Sequence, residues 1–307
     1  MSENTENNLN VPILLVIFNR PDVTRRTFDA IRLARPSKLF IAADGYRSNK
    51  PGEKELCEIT KEVVANVDWP CEVHRDYLTS NIGPCKRLPS AIDWFFENVE
   101  HGIILEDDCL PNNSFFPFCQ ELLEKYKTEE KIMSISGTNF QEKKIGSASY
   151  YFSFYPIGWG WATWRRAWKN FDREMKQYPD FLKENKIKNI IPENYNNERR
   201  YWLNFLKKEY EGKYIYWDLK WAFSHWCNNA VSIVPNENLI TNVGFGQDAT
   251  HSKKDVGLSV PSKTIGTIIH PKFIIVDMEA DHYLYNKVYK TSFLKKITHK
   301  IKAILKI

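Results

Sequence analysis

The chain has 307 residues, a formal net charge of +5, and a composition that is 43% hydrophobic and 26% charged. That length can bury one large core or two modest ones, and that balance belongs to a globular chain, not a disordered one. The mild positive charge, with no basic run beside a reading module, does not point to nucleic acid and suits an anionic ligand or membrane surface.

Residues 1 to 10, polar and rich in Asn, read as a disordered tail with no signal peptide. Residues 11 to 18 then form a buried strand. Asn19-Arg20-Pro21-Asp22 opens a helix with Pro21 near its first turn, and Val23, Phe28 and Ile31 face the sheet. A strand over 38 to 43 ends at Asp44-Gly45, a helix covers about 52 to 67, and a third strand lies near 71 to 76. Asn81-Ile82-Gly83-Pro84 leads into an amphipathic helix over 85 to 99.

Ile103, Ile104 and Leu105 are a short apolar run, as expected of a strand buried on both faces of a parallel sheet. Glu106, Asp107 and Asp108 follow it directly. Three adjacent carboxylates repel one another, and ending a buried strand this way is costly unless a cation or hydrogen-bond donors meet them. Oxygen-only clusters favour hard ions such as Mg²⁺ or Mn²⁺, although an acidic turn is the plain alternative. A helix over 114 to 127 and a strand over 131 to 135 continue the alternation, which predicts a parallel α/β sheet with its ligand crevice above the strand ends.

After Gly137 the composition changes, and eight of the ten tryptophans lie between Trp159 and Trp226. No linker separates the halves, so one domain over 11 to 290 is expected, with a nucleotide-binding half (11 to 137) and an acceptor-side half (138 to 290). Trp161, Trp164 and Trp168 have the spacing of a buried helical face. Trp159 and Trp161 stand in the turn before that helix, where flat rings can stack on a sugar and Gly160 allows close backbone approach. The Asn81–Gly83 turn, with Arg87 in the helix that follows, offers N–H groups and a cation to a diphosphate, or is an ordinary helix start. Arg20 can meet a base or a phosphate, or be a solvated surface residue. Asp218, framed by Trp217 and Trp221, is either a helix cap or an acid whose pKa burial would raise. His251 ends a glycine-rich loop. Residues 291 to 307 make a basic amphipathic helix, suited to an anionic membrane or packed on the domain.

The order of these features resembles that of GT-A glycosyltransferases, over roughly residues 11 to 251. The Glu-Asp-Asp form of the acidic motif is similar to that of the Golgi N-acetylglucosaminyltransferase type, in a bacterial branch. The resemblance implies a GT-A fold: a single Rossmann-like, mostly parallel sheet flanked by helices, with an aromatic-rich acceptor subregion. It implies that Asp108 and His251 hold Mn²⁺ or Mg²⁺, that Asp107 contacts ribose or metal, and that Glu106 contacts the donor sugar. It also implies that Asp44 accepts from a uracil ring and that Asp218 is the base of an inverting transfer. A UDP-sugar donor and a glycan or lipid-linked acceptor follow from it. The alternatives are a nucleotidyltransferase on a related fold and a non-catalytic carbohydrate-binding protein. Six cysteines without a CxxC pair, and no apolar run near 18 residues, suggest a cytoplasmic protein, at the inner face of the membrane if the basic tail anchors it.

Overall fold

A computed structural model describes residues 9–244 and 259–290. The alternation expected for the first half is present. Strand β1 (Ile13–Ile17) leads to α1 (Pro21–Ala34), β2 (Lys38–Ala43), α2 (Glu53–Val63), β3 (Glu72–Tyr77), α3 (Pro84–Asn98) and β4 (His101–Glu106). After β4 come β5 (Cys109–Pro111), α4 (Phe115–Lys125), β6 (Ile132–Ser136), β7 (Tyr150–Ser153), β8 (Trp161–Trp164) and α5 (Arg165–Trp168). The remainder is α6 (Tyr178–Lys183), α7 (Asn196–Tyr210), α8 (Trp217–Cys227), β9 (Val231–Pro235), β10 (Ile240–Asn242), α9 (Met278–Leu284) and a π-helical turn over Tyr285–Lys290.

Eight strands form one sheet in the order β3-β2-β1-β4-β8-β6-β9-β7. The pairings β3-β2, β2-β1, β1-β4 and β6-β9 are parallel, whereas β8 and β7 run against their neighbours. This is a mostly parallel, Rossmann-like α/β sheet. β1, β2 and β4 lie inside it and are apolar on both faces, as a strand covered by helices on each side must be. β3 is at the edge and carries the polar, half-exposed sequence Glu-Val-His-Arg-Asp-Tyr. Phe28 and Ile31 of α1 are buried and Val23 is half-buried, so the expected apolar face is the one that packs. β5 and β10 pair antiparallel in a second, small sheet directly after the acidic triplet.

Two expectations change. Leu9 and Asn10, counted with the tail, belong to the folded unit: Leu9 is buried, and the Asn10 N–H donates to Gln120. The segment around Trp161 and Trp164 is not helical. Trp161-Ala162-Thr163-Trp164 is β8, wholly buried between β4 and β6, and only Arg165–Trp168 turns into helix. Aromatic and β-branched residues suit such a strand, and burial on both faces hides the period-two signal that would have announced it. The tryptophans still form one body, with Trp161 packed against Trp168, Trp217 and Trp221.

Candidate active site at the end of β4

From β1 the chain steps to β2 and β3 on one side and later to β4 on the other. The order therefore reverses between β1 and β4, and the carboxyl ends of two such strands flank an open crevice. Arg20 follows β1, and Asp107 and Asp108 follow β4, so the switch point brings these charges together. Arg20 donates through Nε to Asp107 Oδ2 at 3.2 Å, through Nη2 to Asp107 Oδ1, and through Nη1 to Asp108 Oδ2 at 3.0 Å. Asp107 is buried, with its N–H on Val16 O at 3.0 Å and its carbonyl accepting the Thr27 hydroxyl at 2.7 Å. Asp108 keeps a side-chain exposure of 19%, against 5% for Asp107.

The electrostatics follow from this placement. Burial, then the neighbouring Asp108 and Asp107, pushes the half-buried Glu106 carboxyl up to about 8. Burial pushes Asp107 up to about 6 against the pull of Arg20, so it is ionised at neutral pH. Burial opposes the Arg20 charge, but Asp107 and Asp108 outweigh it and raise its pKa. Arg20 was expected at a base or phosphate; here it is the counter-charge of the acidic triplet.

Asp44 is likewise committed inside the protein. It is buried, and its two oxygens accept from the N–H groups of Gly45, Ile82 and Gly83 and from the Asn81 side-chain amide, all at 2.9 to 3.0 Å. A carboxylate has about four acceptor sites, so none is left for a uracil N–H. The backbone groups expected to cradle a diphosphate at Gly83 already hold an anion, the Asp44 carboxylate. Arg87 is buried and turned inward, with Nη1 on Asp76 Oδ2 at 2.7 Å and Nη2 on Asp76 O at 2.6 Å. The exposed cation of that helix start is Lys86.

Among the aromatics, Trp161 is buried and stacks on Trp217 with centroids 6.0 Å apart, so it is core and has no face for a sugar. Trp159 is half-buried, edge-on to Phe140. Gly160 has φ +65°, and a Cβ there would come within 2.5 Å of Ile240. Its need for glycine is thus both the left-handed backbone and the close packing against β10, and its carbonyl accepts from the Gly137 N–H. Asp218 lies in the first turn of α8, exposed, with its carboxylate accepting the Leu219 N–H at 3.0 Å. The burial expected to raise its pKa is absent, yet it lies close enough to Glu106 to contribute to that residue's upward shift.

Sequence reasoning missed two contributors. Thr27 pins the triplet's backbone from the buried face of α1; a hydroxyl among Phe28 and Ile31 on an apolar face was the available signal. Gly244 lies against Asp108, where a Cβ would come within 2.2 Å of Oδ2, and the Val243 N–H donates to Asp108 O. The position of His251, and that of residues 291 to 307, falls outside the described residues.

No group of three His, Cys, Asp or Glu side chains among the described residues forms a metal cage. An ion on Asp108 would have to take most of its oxygens from phosphate and water, as Mg²⁺ commonly does. All six cysteines are free, and no described helix is long and apolar enough to cross a membrane.

No protein-family model matches the chain, and no curated protein matches it. Among solved structures it is similar to HddC from Yersinia pseudotuberculosis, at 7% identity and a TM-score of 0.33, covering 56% of this chain and 85% of that one. It is also similar to 4-diphosphocytidyl-2C-methyl-D-erythritol synthase from Anaerococcus prevotii, at 10% identity and a TM-score of 0.32, covering 55% and 74%. Likeness this slight defines neither a family nor a reaction. What fold and site define together is a Rossmann-like α/β protein with an acidic, arginine-paired cluster at its switch point.

Proposed function

We propose that the protein is a metal-dependent glycosyltransferase that moves a sugar from a nucleotide-sugar, UDP-linked by resemblance, to a glycan or lipid-linked acceptor. The observation that carries this reading is the Glu106-Asp107-Asp108 triplet at the carboxyl end of β4, beside the topological switch point, with Asp108 the more exposed of the two aspartates. Asp108 would hold a divalent ion, with His251 as the further ligand that the resemblance implies, and the ion would neutralise the leaving diphosphate. Asp107 keeps Arg20 in place. Glu106 would contact the donor sugar, as the resemblance implies. Asp218 takes the proton of the acceptor hydroxyl as that oxygen attacks the anomeric carbon and the bond to the diphosphate breaks. Inversion at the anomeric carbon follows from that role.

One observation favours the rival reading, a nucleotidyltransferase using the same acids. Asp218 is exposed and lacks the burial that tunes a general base. Product analysis separates the two. With Mn²⁺ and UDP-sugars, a glycosyltransferase slowly releases UDP, and Asp108→Ala abolishes the release. Pyrophosphate formed from UTP and a sugar phosphate would establish the rival instead. Metal-dependent donor binding with neither product would mark a non-catalytic carbohydrate-binding protein. For residues 291 to 307, the proposed membrane contact predicts that their removal weakens sedimentation with anionic vesicles; equal sedimentation discards it.

A further inference from the structure

We infer that Arg20 competes with the divalent ion for Asp108, so that the ion enters together with the donor diphosphate and not ahead of it. This rests on the proposed function, since it concerns the ion that function requires. The geometry is asymmetric. Arg20 makes two contacts to Asp107, which has 5% side-chain exposure, and one to Asp108, which has 19%. The Asp108 contact is the single one and the more exposed. Breaking it leaves the guanidinium held by Asp107 through the stronger, bidentate pair.

An ion reaching Asp108 Oδ2 alone meets a permanent positive charge, bonded to that same oxygen at 3.0 Å. It also meets too few protein oxygens, because the described residues hold no three-ligand group. A diphosphate relieves both deficits. It brings oxygens to the ion, and its charge offsets that of the guanidinium when Arg20 leaves Asp108. Arg20 is in this sense a positioning residue: it keeps Asp108 from solvent cations and makes uptake of the ion depend on the donor.

The experiment measures free Mn²⁺ by electron paramagnetic resonance as the full chain is titrated, with and without UDP. The wild type is expected to bind Mn²⁺ weakly alone and at least about tenfold more tightly with UDP, a difference of about 1.4 kcal/mol. Arg20→Ala is expected to bind Mn²⁺ alone at least about tenfold more tightly than the wild type, so that most of the gain from UDP disappears. That substitution leaves Asp107 buried without its partner and can unfold the chain. Asp107→Asn compared with the Asp107→Asn/Arg20→Ala pair removes this problem and should show the same tightening. Loss of a merely structural contact would lower stability without tightening Mn²⁺ binding in both comparisons. Mn²⁺ affinity without UDP that is unchanged or weaker after loss of Arg20, in both comparisons, overturns the inference. If the wild type shows no UDP-dependent Mn²⁺ binding that Asp108→Ala abolishes, the proposed function fails as well; if it does and only the Arg20 effect is missing, this inference falls alone.

Discussion

Asp44 offers the sharpest contest between a ligand contact and an architectural role. Its carboxylate accepts four hydrogen bonds, from Gly45, Ile82, Gly83 and the Asn81 amide, and it is 5% exposed. Hydrogen bonds to a charged group are worth roughly 1.5–3 kcal/mol each, so four lost without replacement would cost about 6 kcal/mol or more. Ile82 is exposed and Gly83 and Asn81 are half-buried, so water can replace part of what Asp44→Ala removes. The contributions also share one acceptor and do not add. We expect a net loss of about 3 kcal/mol, measured by urea denaturation as a lower midpoint at unchanged slope. The Asn81–Gly83 turn should lose amide-exchange protection in the same variant. A stability change below about 0.5 kcal/mol, together with UDP affinity that falls while CDP affinity holds, would refute this reasoning and restore the uracil contact.

Trp161→Ala empties a position that is 2% exposed and packed against Trp168, Trp217 and Trp221, and should cost about 3–5 kcal/mol in thermal or urea unfolding. Trp159→Ala, half-buried at the sheet rim, should cost much less, so the pair of measurements separates core from site. Gly244→Ala brings a methyl group against Asp108 and should weaken UDP-dependent Mn²⁺ binding at least about tenfold in a titration, while stability changes by less than about 1 kcal/mol. His225 is fully buried, and burial lowers its pKa to about 4. The neutral form is therefore the folded form. Its stabilisation is complete above about 6.5 and is lost as pH falls towards about 4, a span worth about 3 kcal/mol. Unfolding midpoints measured across that window should fall with pH more steeply in the wild type than in His225→Asn.

Much of the first half, residues 11 to 137, was legible because its signals are local. Apolar runs bounded by helix-start residues give β1, α1, β2, α3 and β4 within a few residues, and the triplet follows the strand it was read to end. Local periodicity reports which side of an element is buried. It says nothing of which distant polar group lies opposite. Arg20 meets Asp107 and Asp108 only because β1 and β4 are neighbours in the sheet, and Asp44 meets Asn81–Gly83 only because the end of β2 adjoins the loop after β3. In the second half the tryptophans are visible, but a strand buried on both faces has no alternation to read, so the sequence does not separate Trp161 from a site residue.

The order of residues by itself determined the α/β alternation, the buried strands and the three acids after β4. The pairing of those acids with Arg20, the capture of Asp44 by its own loop, and the inward turn of Arg87 were decided by tertiary structure. The physical reason is that apolar burial is set residue by residue along the chain, whereas a charge settles on whichever opposite group the completed fold brings within a few ångströms.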